Sequence, residues 1–167
     1  MKKLNKILIL LLVVATFTLT GCSSNVEGNL SDIMDKIYAD INAEELPMLE
    51  TVDILNPAPE LEMDEAAIDD LIIYTIGTKD IKYKEIYESR PKMGSIAYSV
   101  VLVRMEEGAD VEAAKTAIKD NVDPRKWFCV WVEPEDVIIK NKGDLIILIM
   151  VEDENIRTKL EEGFDNL

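Results

Sequence analysis

The chain has 167 residues, 18 of them basic and 33 acidic, giving a formal net charge of −15 at pH 7, and it contains no histidine. That balance disfavours nucleic acid and anionic lipid as partners, because both would repel it. The missing imidazole rules out Ser-His-Asp and Cys-His catalysis and histidine metal ligation, and among seven glycines no phosphate-cradling motif occurs, so no cofactor is expected.

Lys2, Lys3 and Lys6 form a basic start, and Ile7 to Val14 is an unbroken apolar run that weakens through Ala15, Phe17 and Leu19. This is the layout of an export signal. Its apolar core falls short of the roughly 18 to 20 residues a spanning helix needs. Leu19-Thr20-Gly21-Cys22 then resembles the lipobox of bacterial lipoproteins. The resemblance implies cleavage between Gly21 and Cys22, a thioether-linked diacylglycerol on Cys22 and usually an acylated new amino group. Each buried methylene contributes about 0.8 kcal/mol, so two or three acyl chains hold a protein on a membrane for practical purposes permanently. The expected address is the extracytoplasmic face of a cell membrane.

Removing residues 1–21, with three lysines and no acids, takes the net charge from −15 to −18 and leaves a chain of single-domain size. Residues 22–29 read as the lipidated cysteine and a flexible tether reaching about 25 Å at most. Residues 30–167 form the domain. With Cys22 taken by lipid, Cys129 has no internal disulfide partner. Its apolar setting, Trp127-Phe128-Cys129-Val130-Trp131-Val132, predicts a buried, inert thiol.

Leu30, Ile33, Met34, Ile37 and Ile41 recur at helical spacing and predict a helix over about 30–42, capped by Asn29 or Ser31. Residues 44–60, with Pro47, Pro57 and Pro59, read as an irregular connection packed by Leu49, Val52, Ile54 and Leu55. A second helix is expected from Asp64. The β-branched run 71–76 fits either helix or strand, and Gly77 ends it. Residues 81–88 and 95–104 predict a hairpin. In its second strand Ile96, Tyr98, Val100 and Leu102 take one face, and Ala97, Ser99, Val101 and Val103 the other. Both faces are apolar, which suggests a central strand.

A helix follows from Asp110 to Asn121, with Val111, Ala114, Ile118 and Val122 inward, and Asp123-Pro124 stops it. Val137 to Lys140 and Leu145 to Val151 flank Asn141-Lys142-Gly143-Asp144 as a second hairpin. A last helix over about 154–164 turns Ile156, Leu160 and Phe164 inward. The fold expected is a two-layer α+β domain. Its four-stranded antiparallel sheet is ordered hairpin-helix-hairpin-helix, with one or two amino-terminal helices added at an edge or end.

The lipobox, the short first helix, Val100-Val101-Leu102-Val103, Ala109 to Lys115 opening a helix, Pro134-Glu135 and Lys142-Gly143-Asp144 together look like a family of uncharacterised lipoproteins from Gram-positive, clostridia-like bacteria. The resemblance covers most of the mature chain and implies no known activity, so it transfers no catalytic residue.

Two groups carry what chemistry the sequence offers. Glu106-Glu107 and Glu152-Asp153-Glu154 fall at strand ends, where adjacent hairpins would let them bind a hard cation such as calcium. Solvated acids at helix starts are the plainer reading. Trp127, Trp131, Phe128, Tyr98 and Tyr74 form either core or a binding surface. Three functions follow in order of preference: a non-enzymatic module binding an envelope protein or peptide, a small-ligand or cation receptor, and a carboxylate-dependent hydrolase.

Overall fold

The computed structural model describes residues 25–167. The leader, the Gly21/Cys22 cleavage and attachment site, and Ser23 and Ser24 lie outside the described residues. Five strands form one antiparallel sheet: β1 (Leu49–Asp53), β2 (Tyr83–Pro91), β3 (Tyr98–Met105), β4 (Ile138–Lys142) and β5 (Leu145–Val151), in the order β1-β2-β3-β5-β4. Four α-helices cover it: α1 (Leu30–Ile37), α2 (Glu65–Ile76), α3 (Val111–Asn121) and α4 (Glu154–Asp165). Among the described residues no helix is long and apolar enough to cross a membrane.

The α+β class holds, but the sheet has five strands and both its faces are covered, where a two-layer arrangement of four was expected. β3 and β5 are buried along their whole length, so side chains on both pleat faces must leave water. On one face Tyr98, Val100, Leu102, Leu145, Ile147, Ile149 and Val151 pack with α1 and α4. On the other, Val101, Val103, Ile146, Leu148 and Met150 pack with Ile72 and Ile76 of α2 and Ala114 and Ile118 of α3. The alternation along β3 is the one its sequence predicts, and β3 is the central strand. Because β3 and β4 both run antiparallel to β5, they are parallel to each other. α3 is therefore a crossover rather than a second helix on the face of α4.

The fifth strand is β1, at the sheet edge beside β2, with Leu49 opposite Pro91 and Asp53 opposite Tyr87. It occupies the stretch expected to be irregular. Its mixed side chains give little alternation, and its pairing with β2 supplies the order that composition does not. The first helix stops at Ile37, short of residue 42, and Ile41 joins the same core from a turn. Asp64, Asp110 and Asp153 cap α2, α3 and α4 by accepting from the amides of Ala67, Ala113 and Ile156. Residues 71–76 are helical, and Gly77, at φ 81°, ends α2. Gly143, at φ 60°, forms a two-residue turn between Lys142 and Leu145.

The segment expected to be a free tether is partly docked. Val26 packs on the first core, and Arg104, at the end of β3, donates to the carbonyls of Val26 at 2.8 Å and Gly28 at 2.9 Å. The Arg104 Nε also donates to Glu85 at 3.0 Å.

Candidate functional site

The connection from α3 to β4 carries the most exposed aromatic side chains among the described residues. Its neck closes where the Val132 amide donates to the Pro124 carbonyl at 2.9 Å. Trp127 turns inward against the second core, while Phe128 stays 82% exposed and Trp131 49% exposed. Cys129, between them, is exposed and adopts a left-handed φ of 63°. The burial expected for this thiol is therefore wrong: the apolar hexapeptide Trp127 to Val132 is not a strand, and its side chains do not share one environment. The expected aromatic group divides in the same way, with Tyr98 wholly in the core and Tyr74 nearly half exposed.

What holds the loop is an ion-pair chain with a buried centre that sequence reasoning missed. Lys126 places its ammonium 3.3 Å from Glu88 Oε1, 3.4 Å from Ser99 Oγ and 3.4 Å from the Tyr74 carbonyl, 4.8 Å above the Tyr74 ring centroid and 5.4 Å from that of Trp127. The Lys126 and Glu88 side chains are both almost fully buried. Ser99 donates to Glu88 Oε1 at 2.6 Å. Glu88 Oε2 makes no hydrogen bond but lies 3.6 Å from Arg90 Nη1, and Arg90 Nε donates to Glu50 at 3.0 Å. Signs thus alternate from the edge strand to the loop: Glu50, Arg90, Glu88, Lys126. Burial pulls the Lys126 ammonium below the usual lysine range, opposed by the nearby Glu88 carboxylate.

The only sequence cues to this chain were a glutamate on the inward face of β2 and a serine in an otherwise apolar row of β3. Ser99 has the hydroxyl of a nucleophile, but it is fully buried and already donates to a carboxylate. The cluster acts as a clamp on the loop.

Beside the loop lies a cleft of ≈ 280 Å³ lined by Cys129, Val130, Trp131, Val132, Glu133, Asp136 and Glu152. Trp131 Nε1 donates to Glu133 at 2.8 Å, and Arg157 donates to Asp136 at 2.8 Å and to the Val151 carbonyl at 2.8 Å. A larger cavity, ≈ 630 Å³, sits at the opposite end of the sheet beside Asn25 and Val26. There Lys142 is already bonded to the carbonyls of Asp165 and Leu167.

The two acidic groups expected to approach each other do not. Glu106-Glu107 follow the end of β3 and Glu152-Asp153-Glu154 follow the end of β5, and these strands are antiparallel, with Tyr98 opposite Val151 and Arg104 opposite Leu145. The groups therefore lie at opposite ends of the sheet, about 20 Å or more apart. Among the described residues no three acidic or thiol side chains converge as a metal site requires.

Comparison of the chain with family models, curated proteins and solved structures returned no match.

Proposed function

We propose that this chain is a lipid-anchored extracytoplasmic protein that binds another envelope protein or a peptide through the loop carrying Phe128 and Trp131, without catalysis. One observation carries this reading. A phenylalanine 82% exposed and a tryptophan 49% exposed sit on a loop clamped by a buried lysine, at the end of the sheet opposite Asn25. Exposed aromatic side chains on a rigid support are what protein partners bury, since they lose little entropy on contact.

Other exposed apolar residues belong to the same end. Met48 precedes β1 and Met93 follows β2, joined where the Lys92 amide donates to the Met48 carbonyl at 2.9 Å. The anchor itself rests on Leu19-Thr20-Gly21-Cys22 and its basic, apolar leader.

Both halves are testable in intact cells. A photocrosslinking residue at position 128 should trap a discrete partner, and one at position 106, at the other end of the sheet, should not. Equal trapping at the two positions, or none at 128, would remove the loop as the binding surface. Cys22→Ala should release the protein or leave its leader uncut. Unchanged membrane retention of that variant would remove the lipid.

A further inference from the structure

We infer that the partner presents a basic side chain, arginine for preference, to the cleft between Trp131, Glu133 and Glu152. This rests on the reading of the loop as a binding surface and adds the chemistry of what it binds. The cleft's polar lining is acidic: Glu133, Asp136 and Glu152 contribute carboxylates, and no lysine or arginine lines it.

Only one of these charges is balanced, that of Asp136 by Arg157. Glu133 accepts from the indole of Trp131, a neutral donor that holds the carboxylate beside the ring without cancelling its charge. Glu152 has its side chain exposed and no ion-pair partner among the described residues, while its backbone amide is fixed to the Ala97 carbonyl at 3.2 Å. A half-exposed indole next to two unbalanced carboxylates attracts a cation through both the ring face and the charges. At ≈ 280 Å³ the space fits one long side chain rather than a folded ligand. A guanidinium, planar and weakly hydrated, stacks on the ring and reaches a carboxylate with its fork, which an ammonium cannot do. The apolar residues of the lining, Val130 and Val132, suit the stem of that side chain.

The test uses the full chain purified in mild detergent and a fluorescein-labelled peptide of alternating arginine and leucine, capped at both ends. Its counterpart has citrulline, an uncharged isostere, at each arginine. Anisotropy should give binding at least about fivefold tighter for the arginine peptide. The double variant Glu133→Gln with Glu152→Gln should lose about that much, and the amide at 133 still accepts from Trp131. Glu106→Gln with Glu107→Gln removes the same net charge at the other end of the sheet and should change nothing.

If both double variants weaken binding equally, the attraction belongs to the whole acidic surface and the cleft is overturned as its source. Equal binding of the two peptides overturns the basic partner outright. The crosslink at position 128 separates this from the underlying reading. A partner still trapped at wild-type yield by the Glu133→Gln, Glu152→Gln variant leaves the loop a binding surface but overturns its preference for a cation. No trapping in the wild type overturns the loop itself, and the inference with it.

Discussion

Lys126 shows how much one residue's position decides. An ammonium and a carboxylate withdrawn from water repay desolvation only if both stay paired, so removing one partner costs more than the pair contributes. Lys126→Met leaves the buried Glu88 carboxylate with the neutral Ser99 hydroxyl and, as its one remaining cation, Arg90 3.6 Å away, and is expected to destabilise the protein by about 3 to 5 kcal/mol in urea unfolding. Adding Glu88→Gln should restore a large part of that loss. A double variant no better than the single would mean that the aromatic packing of the lysine stem, not its charge, holds the loop. On the other face of the sheet Tyr38 donates to Ser89 at 3.1 Å and shares a 2.6 Å hydrogen bond with the Tyr98 hydroxyl. Burial pushes the Tyr38 phenol up to about 12 and drives that of Tyr98 upward as well. A raised folded-state value means the stability is fully present below pH 10, where the unfolded phenol titrates, and is lost as pH rises to about 12. Denaturation midpoints should therefore fall across that window, and Tyr38→Phe should fall less steeply than wild type.

Between elements Gly163, in α4, makes a close contact with α1. A Cβ placed there would lie 2.3 Å from the backbone oxygen of Ile37, at the end of α1. That oxygen belongs to a helix terminus already packed on the core and cannot swing aside. Gly163→Ala is thus expected to cost about 1 to 3 kcal/mol by pushing α1 from α4. Gly94→Ala meets nothing within 4 Å and should be neutral or slightly stabilising through the unfolded chain. If thermal melts order the two variants the other way, α1 and α4 are not seated as described. The elements themselves were largely legible. Cap residues and 3.6-residue stripes announce α1, α3 and α4, and period-two alternation announces β3. β1 was not, because Leu49-Glu50-Thr51-Val52-Asp53 gains its order from β2. The third layer was half written: β3 reads apolar on both faces, and a strand of that kind requires cover on both. Sequence order, however, put α3 and α4 together, and only the crossover to β4 separates them.

For the whole molecule, the polarity of the sheet matters more than its composition. Arg104 pins Val26 and Gly28 at one end, while Phe128, Cys129 and Trp131 occupy the other. A lipid on Cys22 would then leave only residues 22–25 between membrane and docked chain, about 14 Å at full extension. The proposed address rests on four residues, Leu19-Thr20-Gly21-Cys22, because a lipobox is recognised as linear sequence and needs no fold. The candidate site was not, because Lys126, Glu88 and Ser99 meet only through tertiary packing, and Glu133 and Glu152 only around a cleft. From Tyr98 to Arg104 the central strand spans about 20 Å, so the loop should stand at least that much farther from the bilayer than residue 27. The exposed Cys129 makes this measurable without denaturant, since a maleimide dye should attach to it in the folded protein. Reconstituted in phosphatidylcholine vesicles carrying a headgroup quencher, the lipidated chain labelled at Cys129 should be quenched weakly. The same dye on Glu27→Cys, in a Cys129→Ser background, should be quenched strongly. Equal quenching at the two positions would mean that the domain lies flat, with the aromatic loop turned toward lipid instead of toward a partner.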